Sequence, residues 1–129
     1  MLSLVRFAVV AGVVLVLGGI ATAGSLTTPT LFKGGPASSQ NVCIATNVTQ
    51  TLTLEVTVQM FGILGGFNEQ TCTLAPGDPG GCQTFLNDGG YCRITAEGTK
   101  AAVLNRFRGV MINRDTNIPF TIFTAVEAR

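Results

Sequence analysis

The sequence predicts an all-β fold: an antiparallel β-sandwich of immunoglobulin-like size, with about six or seven strands, two disulfides and an N-terminal signal helix. Three observations carry that expectation. Residues 51–61 carry five polar–apolar repeats in succession, and turn-forming residues punctuate the chain beyond them at short intervals. Four cysteines, Cys43, Cys72, Cys82 and Cys92, occur in a chain with no histidine.

Residues 1–23 read as an export signal rather than as part of the fold. Arg6 charges a short leading region, residues 7–20 are uninterruptedly apolar, and Ala21-Thr22-Ala23 offers small residues to a signal peptidase. Cleavage is expected between Ala23 and Gly24. The apolar run is shorter than the roughly 20 residues a bilayer core requires, so no stable membrane span is expected after cleavage. Loss of Arg6 leaves seven basic against seven acidic side chains in residues 24–129. A formally neutral chain lacks the basic excess that phosphate contacts demand, which argues against a nucleic-acid partner. One domain fits the remaining length.

Within residues 51–61, Leu52, Leu54, Val56, Val58 and Met60 share one face, while Thr51, Thr53, Glu55, Thr57 and Gln59 share the other. That period of two marks a half-buried strand; helical spacing would scatter the apolar set around the axis. Further strands are expected at 41–48, 69–74, 82–86, 91–97, 101–113 and 118–127. Asn87-Asp88-Gly89-Gly90 separates two of them with residues that tolerate positive φ. A sandwich over 41–129 follows, with a small barrel as the alternative. Residues 24–40, rich in Pro, Gly and Ser, read as a flexible leader, or else as a donor strand for a neighbouring subunit.

Sequence alone allows three cysteine pairings. Cys72 and Cys82 flank the turn-rich segment 76–81, which would lay their strands side by side. This favours Cys72–Cys82 and, by remainder, Cys43–Cys92 across the core. A zinc site is disfavoured by the missing histidine and the lack of any C-x-x-C pair.

The segments N-V-C (41–43), C-T-L-A-P-G (72–77), Y-C-R-I-T (91–95) and E-A-R (127–129) resemble a loose group of small exported bacterial proteins of uncharacterised function. The resemblance implies an exported, disulfide-bonded β-domain and carries no activity or functional residue with it.

The composition offers little to catalysis. Without histidine there is no Ser-His or Cys-His pair and no imidazole acid or base. The acids are scattered, Glu55 on a strand's polar face and Asp78, Asp88 and Asp115 in turns, so no catalytic, cofactor-binding or metal-ligating residue is assigned. A secreted or periplasmic binding or accessory module without enzymatic activity is the expected class, its partner an unknown protein or envelope ligand. A structural subunit of a surface assembly is the alternative. The candidate partner surface has two parts. Phe61, Ile63, Leu64 and Phe67 belong to an apolar, glycine-rich segment that reads as a contacting loop tip or as a buried hairpin end. Arg106 and Arg108 alternate with Phe107 as a basic pair on one strand face, or as partners of Glu55, Glu97 or Glu127 on neighbouring strands. Asn47-Val48-Thr49 matches an N-glycosylation sequon, a pattern also common by chance.

Overall fold

A computed structural model describes residues 23–35, 37–78, 80–117 and 122–129. The expected signal helix and most of its cleavage motif lie outside these residues, as do residues 118–121 of the last expected strand. Among the described residues, eight strands and one helix run in the order β1 (Ala23–Thr27), β2 (Ser39–Asn47), β3 (Leu54–Gly62), β4 (Phe67–Leu74), β5 (Cys82–Leu86), β6 (Gly90–Glu97), α1 (Lys100–Arg106), β7 (Phe107–Asp115) and β8 (Ile122–Glu127). They form two four-stranded sheets, β1-β6-β3-β4 and β5-β2-β7-β8, with every neighbouring pair antiparallel.

The alternation seen in 51–61 builds the first sheet's inner face. Val56, Val58 and Met60 of β3 are buried beside Cys92 and Ile94 of β6 and Leu26 of β1. Across the core they meet Cys43 and Ala45 of β2, Cys82 of β5 and Phe107 and Met111 of β7. Facing side chains of two sheets interdigitate in this way in β-sandwiches. Gly109 of β7 shows how closely they do so: a Cβ there would lie 1.9 Å from Ile94 Cδ1.

Both expected disulfides are present. Cys43–Cys92 joins β2 to β6 and so ties the two sheets through the core, with Cα atoms 5.8 Å apart. Cys72–Cys82 joins β4 to β5 at 5.7 Å, closing one corner between the sheets. The opposite corner, between β1 and the end of β8, is closed by backbone hydrogen bonds. Thr27 N donates to Arg129 O (3.0 Å) and Arg129 N to Thr27 O (3.3 Å).

Two expectations are corrected. Residues 24–40 are not a free leader: Ala23–Thr27 is a strand paired along β6, Leu26 is fully buried, and Leu31 bridges to Gly90. The folded domain therefore takes in β1, paired along β6, rather than starting at residue 41. A five-residue strand with one large apolar side chain shows little periodicity of its own; β6 supplies the order. Nor is 101–113 a single strand. Thr99 caps α1, its hydroxyl accepting from Ala102 N at 3.2 Å, and Lys-Ala-Ala-Val-Leu-Asn-Arg favours a helix turn before β7 begins. Lys100 is the first residue of this helix.

Candidate functional site

Four of the six expected surface residues come together at one end of the sandwich. The link between β3 and β4 is a tight turn in which Gly62 N donates to Gly66 O and Gly65 N to Gly62 O, at 2.6 and 3.1 Å. A second loop braces it from the side: Ile63 N donates to Gly89 O (2.8 Å) and Leu64 N to Asp88 Oδ2 (3.0 Å). With their backbone fixed, Ile63 and Leu64 project outward, and Leu64 is 86% exposed. The buried-hairpin alternative is thereby set aside.

A third loop completes the end. Leu31 and Gly90 exchange backbone hydrogen bonds of 2.7 and 2.9 Å, which carries Phe32 out into solvent at 71% exposure. A Cβ placed on Gly89 would come within 3.2 Å of Phe32 Cα and 3.3 Å of Ile63 Cδ1, so both residues flank the same glycine. Gly90 is required as well, since a Cβ there would lie 2.1 Å from Phe61 O.

Behind this tip an aromatic ladder crosses three strands. Phe61 of β3 stacks on Tyr91 of β6 with centroids 4.9 Å apart and planes 13° apart, and meets Phe67 of β4 at 5.2 Å. The Arg93 guanidinium lies 5.0 Å from the Phe61 centroid, a cation–π contact. Register explains the row: Phe61 pairs with both Phe67 and Tyr91. Phe67 is exposed, so the ladder's outer rung continues the apolar tip.

Asn41 underpins the arrangement from inside. It is fully buried, and its Nδ2 donates to Asp88 O (2.8 Å) and Leu31 O (3.3 Å). Asn113 Nδ2 donates in turn to Asn41 Oδ1 at 2.8 Å. Sequence reasoning missed Phe32, Tyr91, Arg93, Asn41 and Asp88, because their roles depend on which loops and strands become neighbours.

Arg106 and Arg108 do not form the expected pair. Arg106 ends α1, whereas Arg108 lies on β7 and donates to the carbonyls of Leu104 and Phe107. The two line different hollows. Arg93 sits in the first sheet, over Phe61.

Arg106 belongs instead to a cleft of about 450 Å³ at the far end of the first sheet. Strands β3 and β6 pair from Gly62↔Gly90 to Thr57↔Thr95 and then part. Each continues with its other neighbour, β3 with β4 to Leu54↔Leu74 and β6 with β1 to Ala23↔Glu97. The fork between them is lined by Glu55 and Glu97, one from each arm. Two acids that look scattered in the sequence thus share a cleft. Other acids hold turns: Asp78 Oδ1 accepts from Gly80 N, and Asp115 Oδ1 from Ser38 Oγ and Asn117 N, each at 2.8 Å.

The sequon asparagine has an internal role. Asn47 is buried, its Nδ2 donating to Leu52 O (2.6 Å) and Leu74 O (3.0 Å), while its Oδ1 accepts from Thr49 N and Oγ1 at 2.9 and 2.7 Å. Among the described residues no group of three or more His, Cys, Asp or Glu gathers where it would hold a metal ion. Among them, too, no helix is long and apolar enough to cross a membrane.

The fold defines a disulfide-stapled, two-sheet antiparallel β-protein. No protein-family model, curated protein or solved structure matches the chain.

Proposed function

We propose that the protein is an exported, non-enzymatic binding or accessory module whose protein partner docks on the apolar end formed by Phe32, Ile63, Leu64 and Phe67. One observation carries the reading: these four large side chains stand exposed side by side on a backbone already fixed by Asn41 and Asp88. Contiguous exposed apolar surface of this kind is characteristic of interaction sites. Aromatic residues are enriched at interface cores, and a pre-fixed backbone lowers the ordering cost of association. Export is supported by the apolar run and small-residue motif of residues 1–23, and by two disulfides, which persist in oxidising compartments.

The test compares the purified protein with a Phe32→Ser/Leu64→Asp variant in chemical cross-linking to the native cell envelope. A discrete cross-linked species formed by the parent and lost in the folded variant supports the reading. An unchanged cross-linking pattern, or none from the parent, overturns it. N-terminal sequencing of the exported protein checks the other half, with Gly24 expected as the first residue.

A further inference from the structure

The cleavage point between Ala23 and Gly24 falls inside a strand, so the terminus it creates has a defined place in the fold. Ala23 pairs with Glu97 and Gly24 with Ala96. Along an antiparallel ladder, hydrogen-bonded pairs alternate with pairs that are not bonded. Thr28 N donates to Cys92 O at 2.9 Å, whereas Thr27 exchanges its backbone bonds with Arg129, on the other side. Counting back by twos from Thr28, Leu26 and Gly24 turn their backbones toward β6, and Gly24 N faces Ala96 O. Cleavage converts that nitrogen into an ammonium at a buried residue.

A charge at a buried position is costly unless acceptors surround it. Gly24 has them. A Cβ there would lie 2.6 Å from Thr99 O and 2.8 Å from Gly98 O. Only glycine fits, and two carbonyl oxygens border it besides Ala96 O. Ala23 and Glu97 form a pair that is not hydrogen-bonded, the kind whose side chains lie closer together. Removing Ala23 therefore leaves the ammonium beside the exposed Glu97 carboxylate, where a hydrogen bond between them is charge-assisted.

The surrounding charges agree. The hollow that Ala23 lines also carries Glu55 from β3 and Arg106 from α1. Two carboxylates and one guanidinium leave this lining one negative charge in excess, and the ammonium neutralises it. Lys100, at the start of α1, is exposed and outside the lining.

We infer that the end of β6 and Thr99 form a receiving site for the amino terminus that processing creates at Gly24, its ammonium held by Ala96 O and Glu97. This site rests on the export reading proposed above, which fixes where the terminus is made. Processing thereby adds an anchor for β1 that the unprocessed chain lacks.

The exported, processed protein supplies the test. N-terminal sequencing gives its first residue. Competitive acylation across pH, read by mass spectrometry of the N-terminal peptide, gives the titration midpoint of the α-amine in the native protein and in urea. An unfolded terminus titrates at about 7.7–8.0. The native midpoint is expected about one pH unit higher, at the low end for a nearby opposite charge because Glu97 is exposed. Glu97→Gln should return most of that shift while keeping the fold, as exposed substitutions usually do. With the native midpoint raised, the terminus stabilises the fold fully below the unfolded midpoint and stops doing so as pH rises through the native one. The urea midpoint should fall across that interval in the parent, and less so in Glu97→Gln or after N-terminal acetylation. A native midpoint at or below the unfolded one overturns the inference, as does a raised midpoint that Glu97→Gln leaves unmoved. A first residue other than Gly24 overturns the cleavage reading as well. Gly24 with an unshifted midpoint leaves that reading standing and removes the receiving site alone.

Discussion

The Asn41 side-chain amide donates to the Asp88 carbonyl at 2.8 Å, while the Asp88 carboxylate receives the Leu64 amide at 3.0 Å. Through this relay a fully buried residue of β2 fixes a turn whose side chains are among the most exposed in the protein. The same Asn41 amide reaches Leu31 O, so one residue sets the position of the loops that present Phe32, Ile63 and Leu64.

Asn41→Ala removes both donors and the acceptor for Asn113 Nδ2. Asn113 Oδ1 already has no partner among the described residues, so the buried Asn113 amide would be left wholly unpaired. A loss of about 2–4 kcal/mol is expected on the usual scale for stranded buried polar groups. Urea unfolding measures it, and hydrogen exchange at Ile63, Leu64 and Gly90 should rise in parallel. A change below about 0.5 kcal/mol would mean that the loops hold themselves.

The two disulfides should contribute unequally. Cys43–Cys92 spans 49 residues of sequence and Cys72–Cys82 only 10. Loop-closure entropy assigns them about 4 and about 3 kcal/mol respectively. Cys43 and Cys92 are also fully buried, so replacing them by alanine disturbs the core as well. Paired Cys→Ala variants compared by denaturant midpoint should therefore rank Cys43/Cys92 as the costlier loss. Non-reducing mass spectrometry of the parent should find no free thiol.

Gly109 and Ile94 form a size-matched pair across the core. Gly109→Ala should destabilise by about 1–3 kcal/mol, because the new methyl group meets Ile94 Cδ1. Ile94→Ala opens space at that point and should recover part of the loss in the double variant. A double-mutant cycle reads the coupling directly; strict additivity would show that the clash is relieved elsewhere.

Asn47 uses both amide donors inside the fold, so glycan attachment and folding exclude one another. Expressed in a glycosylating host, the folded protein should carry no mass increment at Asn47. Asn47→Ala should cost about 2–3 kcal/mol by leaving the Leu52 and Leu74 carbonyls without this donor. A neutral substitution would return Asn47 to the status of a surface residue.

Much of the scaffold was legible because its signals are local. The alternation through Val56, Val58 and Met60 needs no partner to be read, and neither does the turn between Cys72 and Cys82. Cys43–Cys92 then followed by remainder. What escaped depends on contacts distant in sequence. The β1 strand has one large buried side chain, Leu26, and is held in place by β6, some seventy residues later. Residues 101–104 are apolar and stand close before the β7 pattern, which hid a helix marked by the Thr99 cap and by its Ala- and Leu-containing composition. At the tip, Phe61, Ile63, Leu64 and Phe67 were visible as a sequence-local cluster. Phe32 was not, because its place is set by the Leu31–Gly90 bridge. Glu55 and Glu97 share a cleft for the same reason: only the pairing of β3 with β6 makes them neighbours.

The two corners of the sandwich will not open alike. At one, Cys72–Cys82 makes separation of β4 from β5 a chemical event. At the other, the Thr27–Arg129 pair makes separation of β1 from β8 a thermal fluctuation. Sheet edges that become free are templates for pairing with other chains. While the disulfide is intact, separation of the two sheets is confined to the β1–β8 side. Reduction removes that asymmetry, so a reducing environment converts a molecule with one vulnerable flank into one with two.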